Sequence, residues 1–110
     1  MKGTYWQRGE TLDYANAGAE VIEANTVVVI GQRIGVAGTT IKPGEIGSLN
    51  VTGVFQMAKK ASEEIAMGTP VYYAAADQTI TATADGNTPA GYAAASAAAD
   101  DTDVLVVING

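Results

Sequence analysis

Residues 40–55 read TIKPGEIGSLNVTGVF and place three glycines among branched aliphatic residues. Glycines at this density either cradle a phosphate group or turn the chain between strands. A phosphate loop of the Walker type needs a glycine-rich turn that ends in Gly-Lys-Ser/Thr, and a dinucleotide-binding turn needs G-x-G-x-x-G spacing. Neither string occurs in the chain. We therefore interpret these glycines as turn residues between short strands.

A weak internal repeat supports this interpretation. An aliphatic residue is followed three positions later by glycine or asparagine, and then by a second aliphatic residue, in three segments: Ile22–Val27, Ile41–Ile46 and Ile65–Val71. Glycine and asparagine tolerate a positive φ better than other residues do. Each segment is thus predicted to form a tight turn that leads into a strand.

The composition favours strands throughout. Valine, isoleucine and threonine account for 31 of the 110 residues, against three leucines. Side chains branched at Cβ are stiff at χ1 and fit the pleated surface of a sheet. We predict an all-β fold, a small β-sandwich or barrel of short strands with at most one short helical turn. A chain of this length suits a single domain.

Individual segments can be assigned from their pattern. Strands are predicted from aliphatic runs or alternation in the following stretches: Leu12–Tyr14, Val27–Ile30, Arg33–Gly38, Thr39–Gly47, Leu49–Val54, Val71–Tyr73, Thr79–Thr83 and Val104–Ile108. The continuous run Val27–Ile30 predicts a strand buried on both faces or at the centre of a barrel. Gly53 is expected to mark a bulge.

Two segments leave more than one structure open. AKKASEEIAMG, residues 58–68, is the one candidate for a helical turn, with Ser62 as N-cap and Gly68 as its end. The alanine-rich segment Gly91–Ala97 has high helix propensity, but the aspartates that follow it would oppose the helix dipole. We interpret it as a strand of small side chains.

The first eight residues are expected to form an arm that precedes a single β-rich domain over residues 9–110. Tyr5 and Trp6 stand in this polar segment, where burial in the core is not forced. One interpretation has Trp6 folding back to cap a small barrel. The other has the two aromatic residues anchoring on a partner, since Trp and Tyr dominate interface hot spots.

The residue types present exclude most site chemistry. The chain has no cysteine and no histidine, so disulfides, thiolate zinc sites, cysteine nucleophiles and histidine bases are excluded. Lys59 and Lys60 are placed in an exposed loop. Asp100–Asp103 is interpreted as a solvated turn, because the spacing of a calcium loop is missing. We expect no catalytic residue, no metal and no cofactor.

The charge pattern limits the partners. Residues 61–110 carry seven acidic side chains and no basic one, within a net charge of −6. An acidic surface repels phosphate backbones, so nucleic acid is not an expected partner. The first residues lack the apolar core of a signal peptide and no run of eighteen apolar residues occurs, so a membrane is not expected either.

The order of motifs resembles one known family. The chain reads in succession GETLDYANAG, VIEANTVVVIG, GVFQMAKK, GTPVYY, GNTPAGYA and VLVVING. This order resembles the DUF2190 family of phage capsid cement or decoration proteins. The resemblance implies a small β-rich protein without enzymatic activity, forming a homotrimer on the outer surface of the virion capsid. The implied partner is the phage major capsid protein, whose neighbouring subunits the trimer would bridge.

The sequence also allows a second function. The chain is also compatible with a small β-barrel binding module of a phage tail or adaptor that recognises a peptide or glycan. It would be a stable monomer with an aromatic-lined groove near Tyr72, Tyr73 and Tyr92. The residues expected to contact the capsid or a neighbouring subunit are Tyr5, Trp6, Arg8, Phe55, Tyr72, Tyr73 and Tyr92.

Overall fold

The computed structural model describes residues 1–110 and contains nine strands in two antiparallel sheets, with no helix. The strands are β1 (Thr11–Ala15), β2 (Val27–Ile30), β3 (Arg33–Ala37), β4 (Ile46–Asn50), β5 (Val54–Ala58), β6 (Pro70–Ala74), β7 (Thr79–Thr81), β8 (Thr88–Ala93) and β9 (Asp103–Ile108). The first sheet has the order β1-β4-β3-β2 and the second the order β5-β9-β8-β6-β7. The prediction of an all-β sandwich is confirmed.

The two sheets are built as copies of one unit. The pairing of β1 with β4 recurs as that of β5 with β9 at the equivalent register: Ala15 opposite Ile46 corresponds to Ala58 opposite Asp103. The pairings of β2 with β3 and of β3 with β4 recur as those of β6 with β8 and of β8 with β9. Residues 11–50 and 54–108 therefore share one four-stranded topology, to which the second unit adds β7.

The repeat seen in the sequence marks these units. In each unit an isolated antiparallel bridge joins two segments, Ile22 with Ile41 and Ile65 with Ala97. A turn and then a strand follow each of these four residues. The predicted turn residues have positive φ in all three predicted segments: Asn25 (72°), Gly44 (83°) and Gly68 (85°). The prediction is confirmed for these three segments. The fourth segment, which follows Ala97, was not predicted because its turn contains no glycine or asparagine.

The three glycines of residues 40–55 have three different roles. Gly44 forms the left-handed corner of the turn that Pro43 begins, as in a type II turn. A Cβ at Gly47 would collide with the buried side chain of Ile41. Gly53, with φ 118°, lies where the chain passes from the first sheet to the second. The segment Leu49–Val54 is thus not one bulged strand, as predicted, but the end of β4, a linker and the start of β5.

The strand buried on both faces is β3, not β2. β2 is the edge strand of its sheet, and Val29 is 41% exposed. In β3, Ile34 and Val36 belong to the core shared with the second sheet, whereas Gly35 lies beneath the buried side chain of Leu49. The prediction for Val27–Ile30 was wrong because a run of aliphatic residues does not distinguish a central strand from an edge strand.

The second sheet encloses most of the core. Ten of the twelve residues in the buried cluster come from residues 57–108, and only Ile34 and Val36 come from the first sheet. The ends of the second sheet approach each other, since the residue after β5, Lys59, forms a parallel bridge with Ile80 in β7. This sheet is therefore strongly curled, and the first sheet packs against it through β3.

The side chain of Asn109 ties the chain end to both sheets. Its amide nitrogen donates to the carbonyl oxygens of Ile34 (2.8 Å) and Val51 (2.9 Å), and its oxygen accepts from the Ile34 N–H (3.3 Å). These bonds link the end of β9, the middle strand of the first sheet and the linker between the sheets. Like Asn25, Asn109 has a positive φ, 57°.

The two ambiguous segments resolve in different ways. The helical turn predicted within residues 58–68 is wrong: Ser62 has a left-handed φ of 62°, and Ile65 pairs with Ala97 instead of entering a helix. The strand predicted for Gly91–Ala97 is correct in type but displaced. β8 begins before it at Thr88 and ends at Ala93, and a bend separates it from the bridge at Ala97.

Lys59 is buried, so its prediction as an exposed loop residue was wrong. The residue is 4% exposed. Its ammonium group donates to the carbonyl oxygens of Lys60 (2.8 Å), Glu63 (2.5 Å) and Ala99 (3.3 Å). An ammonium group has three donors, and these three carbonyls satisfy all of them. Lys59 therefore holds the irregular segment after β5 against the turn that precedes β9.

The first unit has a buried amide in the same place. Asn16, also 4% exposed, donates to the carbonyl oxygens of Glu20 (2.8 Å) and Ile41 (3.0 Å). Asn16 follows β1 as Lys59 follows β5, and in both units one acceptor lies four residues later. The two units thus secure their long connections with one buried donor each.

We predict that Lys59→Met destabilises the protein by about 1–3 kcal/mol, because the methionine stem fills the same space but leaves buried carbonyl groups without a donor. Lys60→Met is the matched control, since its side chain is exposed and surface substitutions usually change stability by less than about 0.5 kcal/mol. Urea unfolding measures both. Equal effects of the two substitutions would contradict the structural role of Lys59.

The repeated turns give a second prediction. Asn25→Val is expected to cost about 1–2 kcal/mol, the penalty of a left-handed conformation for a residue with a branched Cβ. Ala24→Val adds the same side chain one residue earlier, in the same exposed turn but without a positive φ. It should leave the midpoint of thermal unfolding nearly unchanged. The prediction is wrong if Ala24→Val is as harmful as Asn25→Val.

Candidate functional site

The structure contains no group of three or more acidic side chains placed to hold a metal ion. In the acidic turn before β9, the carboxylate of Asp101 accepts from the Ala98 N–H at 2.8 Å. This contact repeats the one in the first unit, where Glu45 accepts from the Lys42 N–H at 3.1 Å. The aspartates thus serve the turn itself. No helix in the structure has the length and hydropathy needed to cross a bilayer.

The arm, residues 1–8, projects from the first strand without contact to the core. Tyr5 is 80% exposed and Trp6 is 89% exposed. Two surface contacts link the arm to the residues that follow it, a hydrogen bond from Gln7 Nε2 to the Thr11 carbonyl of β1 (3.0 Å) and an ion pair between Arg8 and Glu10 (3.7 Å). The interpretation in which Trp6 caps the barrel is wrong for this structure, and both aromatic side chains are available to a partner.

A row of apolar side chains crosses the outer face of the second sheet. Val54, Val107, Tyr92 and Pro70 lie directly opposite one another on β5, β9, β8 and β6. Leu105 lies on the same face, two residues from Val107 along β9. Val54 is 57% exposed, while Tyr92 and Leu105 are each about 40% exposed. These five residues, the outer row, form an uncharged surface on a chain with a net charge of −6.

A groove of about 560 Å³ opens between the two sheets. Its apolar wall consists of Val27, Val36, Phe55, Met57, Ala58, Tyr73 and Ile80, and none of its twelve lining residues is charged. The remaining wall is polar and includes Gln78 and Thr79. Thr79 holds the one buried side-chain oxygen in the structure without a hydrogen-bond partner. This oxygen is enclosed by the fold and does not open to the groove.

Burial also affects the tyrosine of the groove. Desolvation raises the pKa of the Tyr73 phenol above its usual value. The phenol is therefore neutral at physiological pH and keeps its hydrogen as a donor. The groove consequently offers neutral polar groups and apolar surface, but no charge of its own.

The structure divides the seven predicted contact residues among three places. Tyr5, Trp6 and Arg8 lie on the arm, Phe55 and Tyr73 line the groove, and Tyr92 belongs to the outer row. Tyr72 is half-buried on the opposite face of β6 from Tyr73, two residues from Pro70 of the outer row. The aromatic groove expected near Tyr72, Tyr73 and Tyr92 thus contains only Tyr73 of the three.

Sequence reasoning missed the aliphatic members of the outer row. Val54, Leu105 and Val107 sit in strands whose alternate residues fill the core. The signal was present in the closing run VLVVI, residues 104–108. In an antiparallel strand with one buried face, an uninterrupted aliphatic run means that the outer face is apolar as well.

Comparison with known proteins gives one match. The model of a family described as phage cement protein matches residues 6–108, nearly the whole chain. No curated protein and no solved structure matches the chain. The match begins at Trp6 and runs through both units to the last residue of β9. The chain therefore belongs to the phage cement protein family.

Proposed function

We propose that this protein decorates a phage head: it binds the outer surface of the assembled capsid as a homotrimer and bridges neighbouring major capsid subunits. The match of residues 6–108 to the phage cement protein family is the observation that carries the proposal. The protein acts through binding alone. Burial of surface between subunits stabilises the assembled shell by mass action, because the bound state is favoured over the dissociated one.

The outer row supports this role as the surface that meets the shell. Interface cores are depleted of charge and enriched in aromatic residues, and the outer row combines Tyr92 with exposed aliphatic side chains. The equivalent face of the first unit is already a packing face: Val36, which corresponds to Tyr92, is 3% exposed and belongs to the core between the sheets. The second unit leaves this same face uncovered.

The arm supplies a second contact. Tyr5, Trp6 and Arg8 are of the residue types that dominate interface hot spots, and none of them is needed by the domain core. In the proposed role the arm anchors on the shell or on a sister subunit. Once the arm or the outer row is bound, the effective concentration of the remaining contact rises. Several modest contacts therefore sum to stable attachment.

The groove is the observation in favour of the alternative, a binding module of a tail or adaptor. A groove lined by Phe55 and Tyr73 suits a peptide or glycan. That function predicts a monomer that binds its ligand through the groove and ignores assembled heads. The two proposals are therefore separated by head binding.

We predict that Val54→Asp weakens binding to heads at least tenfold, about 1.4 kcal/mol, because it places a charge on the most exposed aliphatic side chain of the outer row. Ile46→Asp is the matched control: it also replaces an exposed aliphatic residue at the start of a strand, but on the first sheet. Co-sedimentation with expanded heads that lack the protein measures binding. Unchanged binding by Val54→Asp, or an equal loss with Ile46→Asp, would remove the outer row from the interface.

We also predict that deletion of residues 1–8 leaves the free energy of unfolding within about 0.5 kcal/mol of the full chain, since these residues are exposed. Binding to heads should be lost. Urea unfolding and co-sedimentation of the same preparation test both halves of this statement. Retained head binding by the shortened protein would show that the arm is dispensable.

A further inference from the structure

We propose that the groove between the sheets is the docking site for the arm of a second copy of this chain, with Trp6 as the inserted side chain. The inference concerns association between copies in the absence of the shell. It rests on the proposed function only for the number of copies that associate. One molecule exposes its largest aromatic side chain, Trp6, and also has an apolar groove that is large enough for such a side chain but does not contain it.

The groove has the chemistry that an indole side chain requires. Its volume of about 560 Å³ lies within the range of pockets that enclose drug-sized ligands, about 300–1,000 Å³. An indole is smaller than such a ligand, so the space admits Trp6 together with part of its backbone. The indole N–H is a donor only, and the side-chain amides of Asn25, Gln56 and Gln78 in the groove wall carry acceptor oxygens.

Charge complementarity identifies the arm as the occupant. Residues 1–8 carry Lys2 and Arg8 and no acidic side chain, whereas residues 9–110 carry four basic and twelve acidic side chains. The two cations flank Trp6. The acidic residues 9–110 of one copy repel the same residues of another copy, but they attract its cationic arm.

The rim of the groove carries this negative charge. Glu23 and Asp77 are exposed and lie within two residues of the lining residues Asn25 and Gln78. The carboxylate of Asp103 accepts from the side chain of the lining residue Gln56 at 3.2 Å. Of the nearby lysines, Lys60 is exposed, and the ammonium group of Lys59 is enclosed by carbonyl oxygens. The uncharged groove is thus surrounded mainly by carboxylates.

Such a contact leads either to a closed ring or to an open filament. An arm that enters a groove on another copy makes a heterologous contact, in which two different surfaces meet. Such contacts form rings when the rotation between copies closes. The groove also opens beside β2, an edge strand whose outer side has no partner, so an extended segment can enter without displacing a strand.

The single tryptophan makes this contact directly measurable. In the full-length protein, the emission maximum of Trp6 should shift to shorter wavelength as the concentration rises, in parallel with the mass determined by sedimentation equilibrium. Dilution should reverse both changes. Raising the salt concentration should weaken association, because the charges on the rim are exposed and screened over about 10 Å at 0.1 M.

Two groove substitutions test the site. Asp77→Lys should weaken association about tenfold, whereas Asp85→Lys makes the same change of charge at an exposed turn away from the groove and should have no effect. Gln78→Lys adds a positive charge to the groove wall, so it should repel the cationic arm and weaken association about tenfold. Because Gln78 is exposed, this substitution should leave the free energy of unfolding nearly unchanged.

Three results would overturn the inference. The first is a monomer with fully solvent-exposed Trp6 at every concentration. The second is a shift of the emission that does not depend on concentration, which means that each arm occupies its own groove. The third is an oligomer in which Trp6 stays exposed to an added quencher. Head binding by the same proteins is scored separately, so the proposed function stands or fails independently of this result.

Discussion

The whole structure depends on burying one strand, β3, on both of its faces. The chain has few large apolar side chains for its length, and alanine supplies much of its apolar composition. Ile34 and Val36 enter the core of the second sheet, and Gly35 leaves room for Leu49 on the other face. A thin core can hold two sheets together only where side chains of this size approach closely. The side chain of Asn109 fixes the approach by bonding the backbone of Ile34.

The repetition of one unit explains where the functional surfaces arise. The two units share their strand order, their bridges and their buried donors, Asn16 and Lys59. They differ at two places. The second unit adds β7, which contributes part of the wall of the groove, and its outer face has no third unit to cover it. The groove and the outer row thus lie where the repetition of the unit ends. There, apolar side chains of the second unit lack the packing partners that the equivalent side chains of the first unit have.

Local features of this fold could be predicted from sequence, and features that depend on distant residues could not. The turns at Asn25, Gly44 and Gly68 follow from the backbone conformations that these residues tolerate. The burial of Lys59 depends in part on the carbonyl of Ala99, forty residues away. The strand buried on both faces is β3 instead of β2, because aliphatic runs do not encode strand order. The same limit applies to the site. The sequence left two interpretations of Trp6 open, and the proximity of Phe55 to Tyr73, and the alignment of Val54 and Tyr92 on either side of Val107, require the strand pairing of the folded sheet.

An acidic exterior is consistent with a protein that must attach at defined places. Like charges on the bodies of free copies oppose random aggregation, and the outer row and the groove each bring several apolar side chains together on one surface. In the proposed assembly a cationic arm with a single tryptophan provides directionality, because it is attracted to the bodies of other copies while the bodies repel each other. The proposed bridging then needs no single strong contact. If each subunit contributes an arm and a sheet face, each contact that forms raises the effective concentration of the remaining ones, and modest contacts sum to stable attachment.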